Sequence, residues 1–417
     1  MDILSRYHDT TVEHIWSEDN RYSLFYDVEL AYVKAEAVLG KIPSSIPTYL
    51  ENNRPCFSAE EIKAEEKTTR HEVVAFINVV SRKLEKYTEY FHRGLTSSDI
   101  MDTVFSLQIK QSLNYVNALT AETIKLLAEK AEEFKYAPCA GRTHGVHAEP
   151  YFFGLRFLNA AVALKRSLNS LSSLEKNMPG KLSGALGIYT NLDPVIELEF
   201  LKILGLACLP VTTQIVPRDV YAPVLFYLAL EASILDKLAQ DMRILQITEI
   251  GEAQKRNPVR WERISGLSRV VRSQVTVVLE NVPLWFERDI SHSSTERVVY
   301  PLCFNLIAFM LKETQSLLKH STFNRSRMLK NMSDSRNLLY SSRALSVIQE
   351  KIGREPAYKR VQDLSRQVLE GEFEDFIEAL RTSGLLSDEE LRSITDLSDL
   401  YGKVDLVYER VAAFLND

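Results

Sequence analysis

The sequence predicts an all-α protein built from long helices. Its 417 residues include only 15 glycines and 14 prolines, so few positions can interrupt a helix. Apolar residues recur at intervals of three and four along most of the chain, which is the spacing of one helix face. Alternation of apolar and polar residues, the pattern of a strand, is almost absent. Together these features favour a helical bundle.

The N-terminal part of the chain begins with a helical pattern from Glu13 to Leu39. The segment from Ile42 to Cys56 carries three prolines and two serines and is predicted to be a connection. Ser58 predicts the next helix start, because Glu61 three residues later would complete a capping box. The polar stretch Arg93 to Asp99 is predicted to be a loop, and the first domain boundary is placed there.

Five long helices are predicted in the middle of the chain, over Met101–Phe134, Tyr151–Asn177, Val220–Ile250, Ser265–Asn281 and Thr295–Thr322. In the third of them a single apolar stripe comprises Val224, Leu228, Ala232, Leu235, Leu238, Met242 and Leu245. Phe226, Leu230 and Ile234 lie off that stripe. A helix that is apolar on more than one face must be covered on more than one side, as in the centre of a bundle or at a contact with other subunits.

Shorter helical patterns follow Met328, over Leu339–Lys351, Glu355–Leu369, Phe373–Leu380, Asp388–Ile394 and Val404–Phe414. The sequence therefore predicts three helical domains: residues 1–98, residues 99–327 with the long helices, and residues 328–417.

Composition narrows the class of protein. The formal net charge of -6 comes from well-mixed acidic and basic residues, which gives no support for nucleic-acid binding. The four cysteines are far apart and form no C-x-x-C pair, which is typical of reduced thiols in a cytosolic protein. The N-terminus lacks the pattern of a signal peptide, and no apolar run reaches membrane-spanning length without a charge. We therefore expect a cytoplasmic protein without a membrane partner.

The stretch Gly141 to Pro150 contains the residues best suited to acid–base chemistry. It includes His144, His147 and Glu149, and glycines flank His144. We expect an irregular turn here, with Pro150 opening the following helix. The alternative is a surface turn with solvated histidines.

Several other polar loops contain cations, hydroxyl groups and histidines. A glycine-rich segment runs from Met178 to Gly187, and the segment from Glu252 to Glu262 is rich in lysine, arginine and asparagine. The sequence has no metal-ligand spacing, no nucleophile elbow and no phosphate loop of the Walker type. This combination suits a polyanionic small substrate and proton transfer without a metal or cofactor.

Eight stretches resemble the adenylosuccinate lyase branch of the fumarase/aspartase superfamily, in the family's order and over nearly the whole chain. They are Ser5–Tyr7, Arg70–Phe76, Gly94–Asp99, Gly141–Pro150, Gly180–Ala185, Lys255–Pro258, Pro283–Ser294 and Gly402–Asp405. Thr143–Pro150 and Glu287–Ser294 separate this branch from fumarase, aspartase and argininosuccinate lyase.

The resemblance implies an all-α, three-domain fold. Its long central bundle would form the twenty-helix core of a homotetramer, with each active site drawing on three subunits. It also implies a β-elimination that releases fumarate, in which a base removes a proton next to a carboxylate and an acid protonates the departing nitrogen. The implied substrates are adenylosuccinate, which gives AMP, and the succinyl-carboxamide ribotide of purine synthesis. Neither reaction requires a cofactor.

The resemblance further implies roles for individual residues. His144 is expected to be the general acid, with Glu262 as the carboxylate that keeps it protonated. His71 is expected to assist at the substrate. Lys255 and Asn257 are expected to hold the reacting carboxylate, where charge develops after proton loss. The remaining substrate-binding candidates are Thr96, Ser97 and Gln214 for the succinyl part, Arg6, Tyr7, Arg288, Ser293 and Arg297 for the ribose phosphate, and Arg70 and Glu72.

Each of these residues also has a purely structural explanation. Arg6 would belong to a solvated terminus, His71 and His292 would lie on helix surfaces, and Thr96 to Ser98 would cap the helix starting near Asp99. Lys255 and Arg256 would be part of a solvated charge run, and His147 would support its loop. The joint occurrence of all the segments in family order favours the functional explanation.

The chain departs from the family at the mobile loop that carries the catalytic serine. The family pattern is Gly-Ser-Ser-x-Met-Pro-x-Lys-Arg-Asn-Pro, whereas here Ala253 runs directly into Gln254 to Pro258, so that about fifteen residues are absent. Either a disordered lid has been left out of the chain or the segment is truly lost. The first explanation is preferred because Lys255, Asn257 and Glu262 are intact.

Smaller departures are Glu72 in place of aspartate, Pro217 in place of glutamine, and bulkier residues at Arg260–Arg263. The resemblance thus predicts the family's carbon–nitrogen lyase activity. The alternatives are a related lyase or cycloisomerase acting on another succinyl-type compound, and a non-catalytic homologue that still binds nucleotide.

Overall fold

A computed structural model describes residues 6–253 and 257–416 of the chain, and these residues are mainly α-helical, as the sequence predicts. The first helices are α1 (Thr10–Ile15), α2 (Glu18–Val38), α3 (Ser45–Asn52), α4 (Ala59–Thr69), α5 (Glu72–Lys83) and α6 (Ser97–Glu133). The central elements are β1 (Pro138–Thr143), β2 (Val146–Phe152), α7 (Gly154–Lys176), β3 (Pro179–Gly180), α8 (Pro194–Leu204), β4 (Ala207–Cys208), α9 (Ala222–Leu245), α10 (Val259–Glu280) and α11 (Ser291–His320). The last helices are α12 (Arg325–Ser333), α13 (Ser341–Ile352), α14 (Arg354–Glu370), α15 (Phe376–Thr382), α16 (Asp388–Thr395) and α17 (Tyr401–Asn416).

The chain divides into two compact units. The first comprises the described residues within Met1–Ala121, Arg166–Leu235 and Gly266–Lys312. The second comprises those within Glu122–Lys165, Asp236–Ser265 and Glu313–Asp417. The division into three domains at residues 98 and 327 stays a prediction.

Aromatic side chains form part of the core of the first unit. The ring centroid of Phe105 lies 5.0 Å from those of Tyr221 and Tyr300, in edge-to-face geometry. Trp16 packs against Phe105 and donates its indole N–H to Ser112 Oγ at 2.9 Å. Edge-to-face aromatic pairs stabilise a core by more than the burial of their surface alone. This cluster therefore stabilises the core of the first unit.

In the second unit, four phenylalanine rings pack together, namely Phe134, Phe153, Phe157 and Phe323. Helix α7 begins beside them at Gly154, where a Cβ would lie only 2.3 Å from the carbonyl oxygen of Ala131. Glycine is therefore required at this position. The C-terminal helices α13 to α16 bury a separate apolar cluster that includes Ile348, Leu364 and Phe376.

Two predictions about helices are confirmed in detail. Ser58 caps α4, and the capping box with Glu61 is present. The apolar stripe of α9 is buried along its whole length, from Val224 to Leu245. Of the apolar residues off that stripe, Phe226 remains 52% exposed and Leu230 remains 42% exposed in the single chain.

Three predictions about local structure are wrong. The connection from Ile42 to Cys56 contains α3, because Pro47 lies in its first turn, where proline needs no N–H partner. Gly141 to Pro150 is not an irregular turn, since residues 138–152 form an antiparallel β-hairpin. Pro150 belongs to β2 and does not open the next helix, which begins at Gly154.

Candidate active site

His71 and Ser97 lie together in the first unit, at the starts of α5 and α6. His71 is the N-cap of α5, and its Nδ1 accepts the backbone N–H of Val74 at 3.4 Å. Its Nε2 is 3.1 Å from Ser97 Oγ. Because Nδ1 is an acceptor, the neutral ring carries its proton on Nε2 and presents a donor. Capping of α5 thus sets the tautomer of His71. A structural role for His71 in the helix and a role at the substrate are therefore compatible.

Arg70 makes the turn between α4 and α5. It is the C-cap of α4 and has a φ of 55°, in the left-handed region that residues other than glycine rarely adopt. Backbone strain of this kind is common where a side chain must be aimed. Here the turn directs His71 into its capping position, and the Arg70 side chain itself is exposed.

Glu72 is held by three side chains. Arg21 donates to both of its carboxylate oxygens, the Tyr22 hydroxyl lies 3.2 Å from Oε1, and Arg297 Nη2 donates to Oε2 at 2.8 Å. Burial opposes ionisation, but Arg21 and Arg297 hold the pKa of the Glu72 carboxyl below its usual value. This set of contacts positions Arg297.

The turn that carries Thr96 and Ser97 is tied to the glycine-rich segment by a buried ion pair. Asp99 accepts the Thr96 N–H at 2.8 Å through Oδ2, so that Asp99 supplies the cap of α6. Its Oδ1 accepts from Lys181 Nζ at 2.5 Å and from the N–H groups of Ser183 and Gly184 at 3.2 Å. Asp99 and Lys181 are both fully buried. Neither was predicted to have a role, because sequence spacing does not reveal long-range pairing.

A cavity of about 240 Å³ opens in the first unit beside Arg297. It is lined by Trp16, Glu18, Arg21, Ser98, Met101, Asp102, Phe105, Gln108, Arg218, Arg288, His292, Ser293, Glu296, Arg297 and Pro301. Three of the residues expected to bind the ribose phosphate, Arg288, Ser293 and Arg297, are therefore brought together. The cavity contains four arginines, which makes it suitable for an anion.

A buried ion network forms the wall of this cavity. Arg218 donates to Asp102 Oδ2 at 2.7 Å and to Glu296 Oε1 at 3.0 Å. Burial opposes ionisation, yet Arg218 holds the pKa of Asp102 below its usual value. Asp102 also accepts the Val216 N–H at 2.8 Å, which fixes the segment carrying Gln214, and the Gln214 side chain accepts from Arg288 Nη1 at 3.0 Å.

The expectation that His292 might be an exposed helix-surface residue is wrong. The residue is 3% exposed and lines the cavity. Its position as the second residue of α11, four residues before Glu296, turns it towards the buried network. Arg6 is exposed, and the Tyr7 ring packs edge-on against Phe309 at 5.5 Å.

In the second unit, His144 lies at the tip of the β1–β2 hairpin. His144 and Gly145 form a two-residue turn with φ angles of 54° and 81°, as a twisted hairpin requires. Close to the turn, the hairpin is anchored by Arg142, which forms a two-point ion pair with the fully buried Glu252. Asn331 donates to the same carboxylate at 2.7 Å. His144 itself is exposed at the tip.

His147 lies on β2 near the Arg142–Glu252 pair. Partial burial, assisted by the charge of Arg142, lowers the pKa of the His147 imidazole. A histidine in this environment favours the neutral form, in agreement with a supporting function in the hairpin.

Asn257 and Glu262 lie at the start of α10 and are exposed. Their neighbours are well fixed: Trp261 is 2% exposed, and Arg260 binds both oxygens of Glu313 at 2.8 Å. Within the described ranges, His144 and Glu262 form no hydrogen bond with each other, so their pairing stays a prediction. Lys255 lies outside the described residues.

The segment that replaces the family's serine loop is short. Only three residues separate Ala253 from Asn257 in the full 417-residue sequence. The preferred explanation, a lid left out of the chain, is therefore wrong, and the loop is absent. Ala253 is held by a bridge to Phe323 and donates its N–H to the Leu245 carbonyl at 3.1 Å.

The described residues contain neither a metal-binding cluster nor a membrane-spanning helix. No group of three or more histidine, cysteine, aspartate or glutamate side chains is placed to hold a metal ion. No helix in the same part of the chain has both the length and the apolar composition needed to cross a bilayer.

Comparison with known proteins identifies the family. Residues 5–272 match the lyase family model, and residues 337–411 match the model of the adenylosuccinate lyase C-terminus. The chain is 36% identical to the adenylosuccinate lyase of Thermotoga maritima over 98% of this chain and 99% of that protein. It is 35% identical to the adenylosuccinate lyase of Bacillus subtilis, with the same coverage.

Solved structures agree on the fold. A fumarate lyase from Mesorhizobium sp. BNC1 superimposes with a TM-score of 0.89 at 27% identity, covering 97% of this chain and 98% of that chain. The 3-carboxy-cis,cis-muconate lactonizing enzyme of Pseudomonas putida has a TM-score of 0.88 at 22% identity, covering 100% and 99%. The predicted all-α fold of the fumarase/aspartase type is confirmed, and the chain belongs to the adenylosuccinate lyase family.

Proposed function

We propose that the chain catalyses the elimination of fumarate from adenylosuccinate, which leaves AMP, and from succinyl-aminoimidazole-carboxamide ribotide in purine synthesis. The observation that carries this proposal is the full-length identity of about 35% to adenylosuccinate lyases from several bacteria. A carbon–nitrogen lyase of this kind breaks one C–N bond and one C–H bond, and forms the double bond of fumarate.

The elimination requires a proton donor at the leaving nitrogen and donors at the carboxylate that gains charge. His144 is proposed to protonate the nitrogen, with Glu262 stabilising its charged form. His71 donates from Nε2 to the substrate, in place of its present contact with Ser97. Lys255 and Asn257 are proposed to stabilise the dianionic carboxylate. Thr96, Ser97 and Gln214 are proposed to bind the succinyl part.

The cationic cavity is proposed to hold the ribose phosphate. Arg288, Ser293 and Arg297 line it, and Arg6, Tyr7 and Arg70 are proposed to complete the nucleotide site. Bidentate guanidinium groups match a phosphate in both charge and geometry. Glu72 contributes by holding Arg297 in place.

We further propose a homotetramer and a cytoplasmic location. The exposed Phe226 and Leu230 on α9 support the assembly, because a stable chain rarely leaves large apolar side chains of a central helix in water. In such an assembly each active site is proposed to draw on three subunits, as the resemblance implies.

A second candidate function is nucleotide binding without elimination. One observation favours it: the three-residue segment between Ala253 and Asn257 contains no serine or other residue that resembles the family's base. Binding of the phosphate and purine does not depend on that base, so a chain of this kind would retain affinity and lose turnover.

The two candidates are separated by measuring turnover and binding on the same preparation. The purified protein is mixed with adenylosuccinate, and the loss of ultraviolet absorbance and the release of fumarate are followed. A variant of the chain receives a family-type serine loop between Ala253 and Gln254. Its control has the same loop with alanine in place of the inserted serine. Turnover by the natural chain supports the lyase. AMP binding with turnover only in the serine-loop variant supports the second candidate, and absence of both activities contradicts the two proposals.

A further inference from the structure

Two polar atoms that face the cavity of the first unit have no hydrogen-bond partner. His292 Nε2 and Arg288 Nε are both buried and unpartnered within the described residues. Buried polar atoms are nearly always hydrogen-bonded, so an exception requires an explanation. Both side chains line the cavity, which suggests that the missing partner is a ligand atom.

The other ring nitrogen of His292 already has partners. Nδ1 is 3.1 Å from Glu296 Oε2 and 3.2 Å from Arg218 Nη2. A guanidinium nitrogen can only donate and a carboxylate can only accept, so Nδ1 has a partner in either tautomer of the ring. Nε2 is therefore the ring nitrogen that is available to a ligand.

The charges around the ring favour an anion next to it. The groups that face it are Asp102 on α6, Glu18 and Arg21 on α2, Arg218 before α9, Arg288 and Asp289 before α11, and Glu296 and Arg297 on α11. Arg218 is neutralised by Asp102 and Glu296, whereas in the described structure Arg288 is bonded to the uncharged amide of Gln214. An anion beside Arg288 and His292 would therefore meet a guanidinium charge that no described carboxylate pairs with, together with the two unpartnered nitrogen atoms.

We propose that His292 is a ligand-binding residue: its Nε2–H donates to the anionic group of the ligand, while Nδ1 keeps its contacts with Arg218 and Glu296. Arg288 Nε donates to the same anion. The assignment rests on the proposed function, in which this anion is the phosphate monoester of a purine ribonucleotide.

Two substitutions separate the ring nitrogens. The amide nitrogen of asparagine lies near the position of Nδ1, and that of glutamine lies near the position of Nε2. His292→Asn therefore keeps a donor to Glu296 and removes the contact with the anion. His292→Gln keeps a donor to the anion. Far-ultraviolet circular dichroism and the melting temperature check that both variants are folded.

The test is the dissociation constant of AMP, measured by isothermal titration calorimetry on the full-length chain. His292→Asn is expected to weaken AMP binding by about 10- to 100-fold, the effect of one charge-assisted hydrogen bond, and His292→Gln is expected to weaken it by less than about fivefold. Adenosine, which lacks the phosphate, is expected to bind equally to the wild type and to His292→Asn. An equal loss for adenosine would mean that the substitution acts on the fold, which would overturn the assignment.

An unchanged AMP affinity in His292→Asn would overturn the proposal while AMP binding itself stands. Failure of the wild type to bind AMP would instead refute the proposed function and this assignment together.

Discussion

Replacement of Glu231 by glutamine is expected to stabilise the folded chain at alkaline pH and to change little in mild acid. Glu231 lies on α9 and is fully buried. Its oxygens contact only hydroxyl groups in the described structure, with Thr120 Oγ1 at 2.5 Å and Ser167 Oγ at 3.4 Å. Burial raises the pKa of Glu231 to about 7, and the two hydroxyl groups reduce that effect only in part.

The hydrogen-bond geometry independently favours a protonated Glu231. Thr120 Oγ1 is also 2.9 Å from the carbonyl oxygen of Val116, and a hydroxyl has one hydrogen to donate. If Glu231 is protonated, it donates to Thr120 and Thr120 donates to Val116, so that both contacts are satisfied. If it is ionised, one of the two contacts loses its hydrogen.

The sign and size of the effect follow from proton linkage. In the unfolded chain the carboxyl releases its proton near pH 4.5, whereas in the folded chain it releases it near pH 7. Between these values the folded state binds more protons, so the free energy of unfolding falls as the pH rises, and the loss is complete above pH 7. A difference of this size corresponds to roughly 3 kcal/mol. Glutamine keeps a donor to Thr120 and does not ionise.

Urea unfolding followed by circular dichroism measures this directly. The wild type and Glu231→Gln are expected to unfold at similar urea concentrations near pH 5, and the variant is expected to be more stable by about 3 kcal/mol near pH 8. Glu65→Gln, which removes a half-buried carboxylate paired with the exposed Arg82, is the control and should not show this gain. Equal dependence on pH in the wild type and Glu231→Gln would refute the argument.

Three further results are expected. Glu72→Gln should weaken AMP binding about tenfold, because the amide no longer holds Arg21 and Arg297 as an ion pair does. Calorimetry with Glu65→Gln as the matched carboxylate control tests this, and equal affinities of the two variants would contradict it. Lys181→Met should destabilise the fold by about 3–5 kcal/mol, because it leaves Asp99 buried without its cation. Adding Asp99→Asn should recover part of that loss in urea unfolding, and a single-variant effect below about 1 kcal/mol would contradict the buried pair. The intact mass should be 47.6 kDa, the value for a chain without the serine loop, and a heavier protein by mass spectrometry would show that the segment is present after all.

The long helices were predictable because their signals are local. The apolar stripe of α9 and the capping box of Ser58 and Glu61 each depend on residues within a few turns of one another. Helix α8, which was not predicted, carries equally local signals: Asp193 as its cap, Pro194 in its first turn and Gly205 after its last residue. These three residues were sufficient to place it.

The hairpin at residues 138–152 was not predictable in the same way. Its strands do not alternate between apolar and polar residues, and most of its β2 side chains are at least partly exposed. What holds the hairpin is Glu252, a residue about a hundred positions away that binds Arg142. The resemblance predicts a role for His144, which stays a prediction, and it says nothing of the long-range ion pair beside the turn that carries this residue.

Ligand binding and proton abstraction are proposed to use different residues of this chain. The anion cavity, with its arginines and His292, is lined by residues of the first unit, and its wall is stabilised by Arg218, Asp102 and Glu296. Ala253 and Asn257, which flank the shortened segment, belong to the second unit, where Ala253 is held by its bridge to Phe323. None of the cavity-lining residues flanks the position of the missing serine loop. For this reason we expect AMP affinity to be retained even if turnover is slow, and a joint loss of both would contradict this expectation.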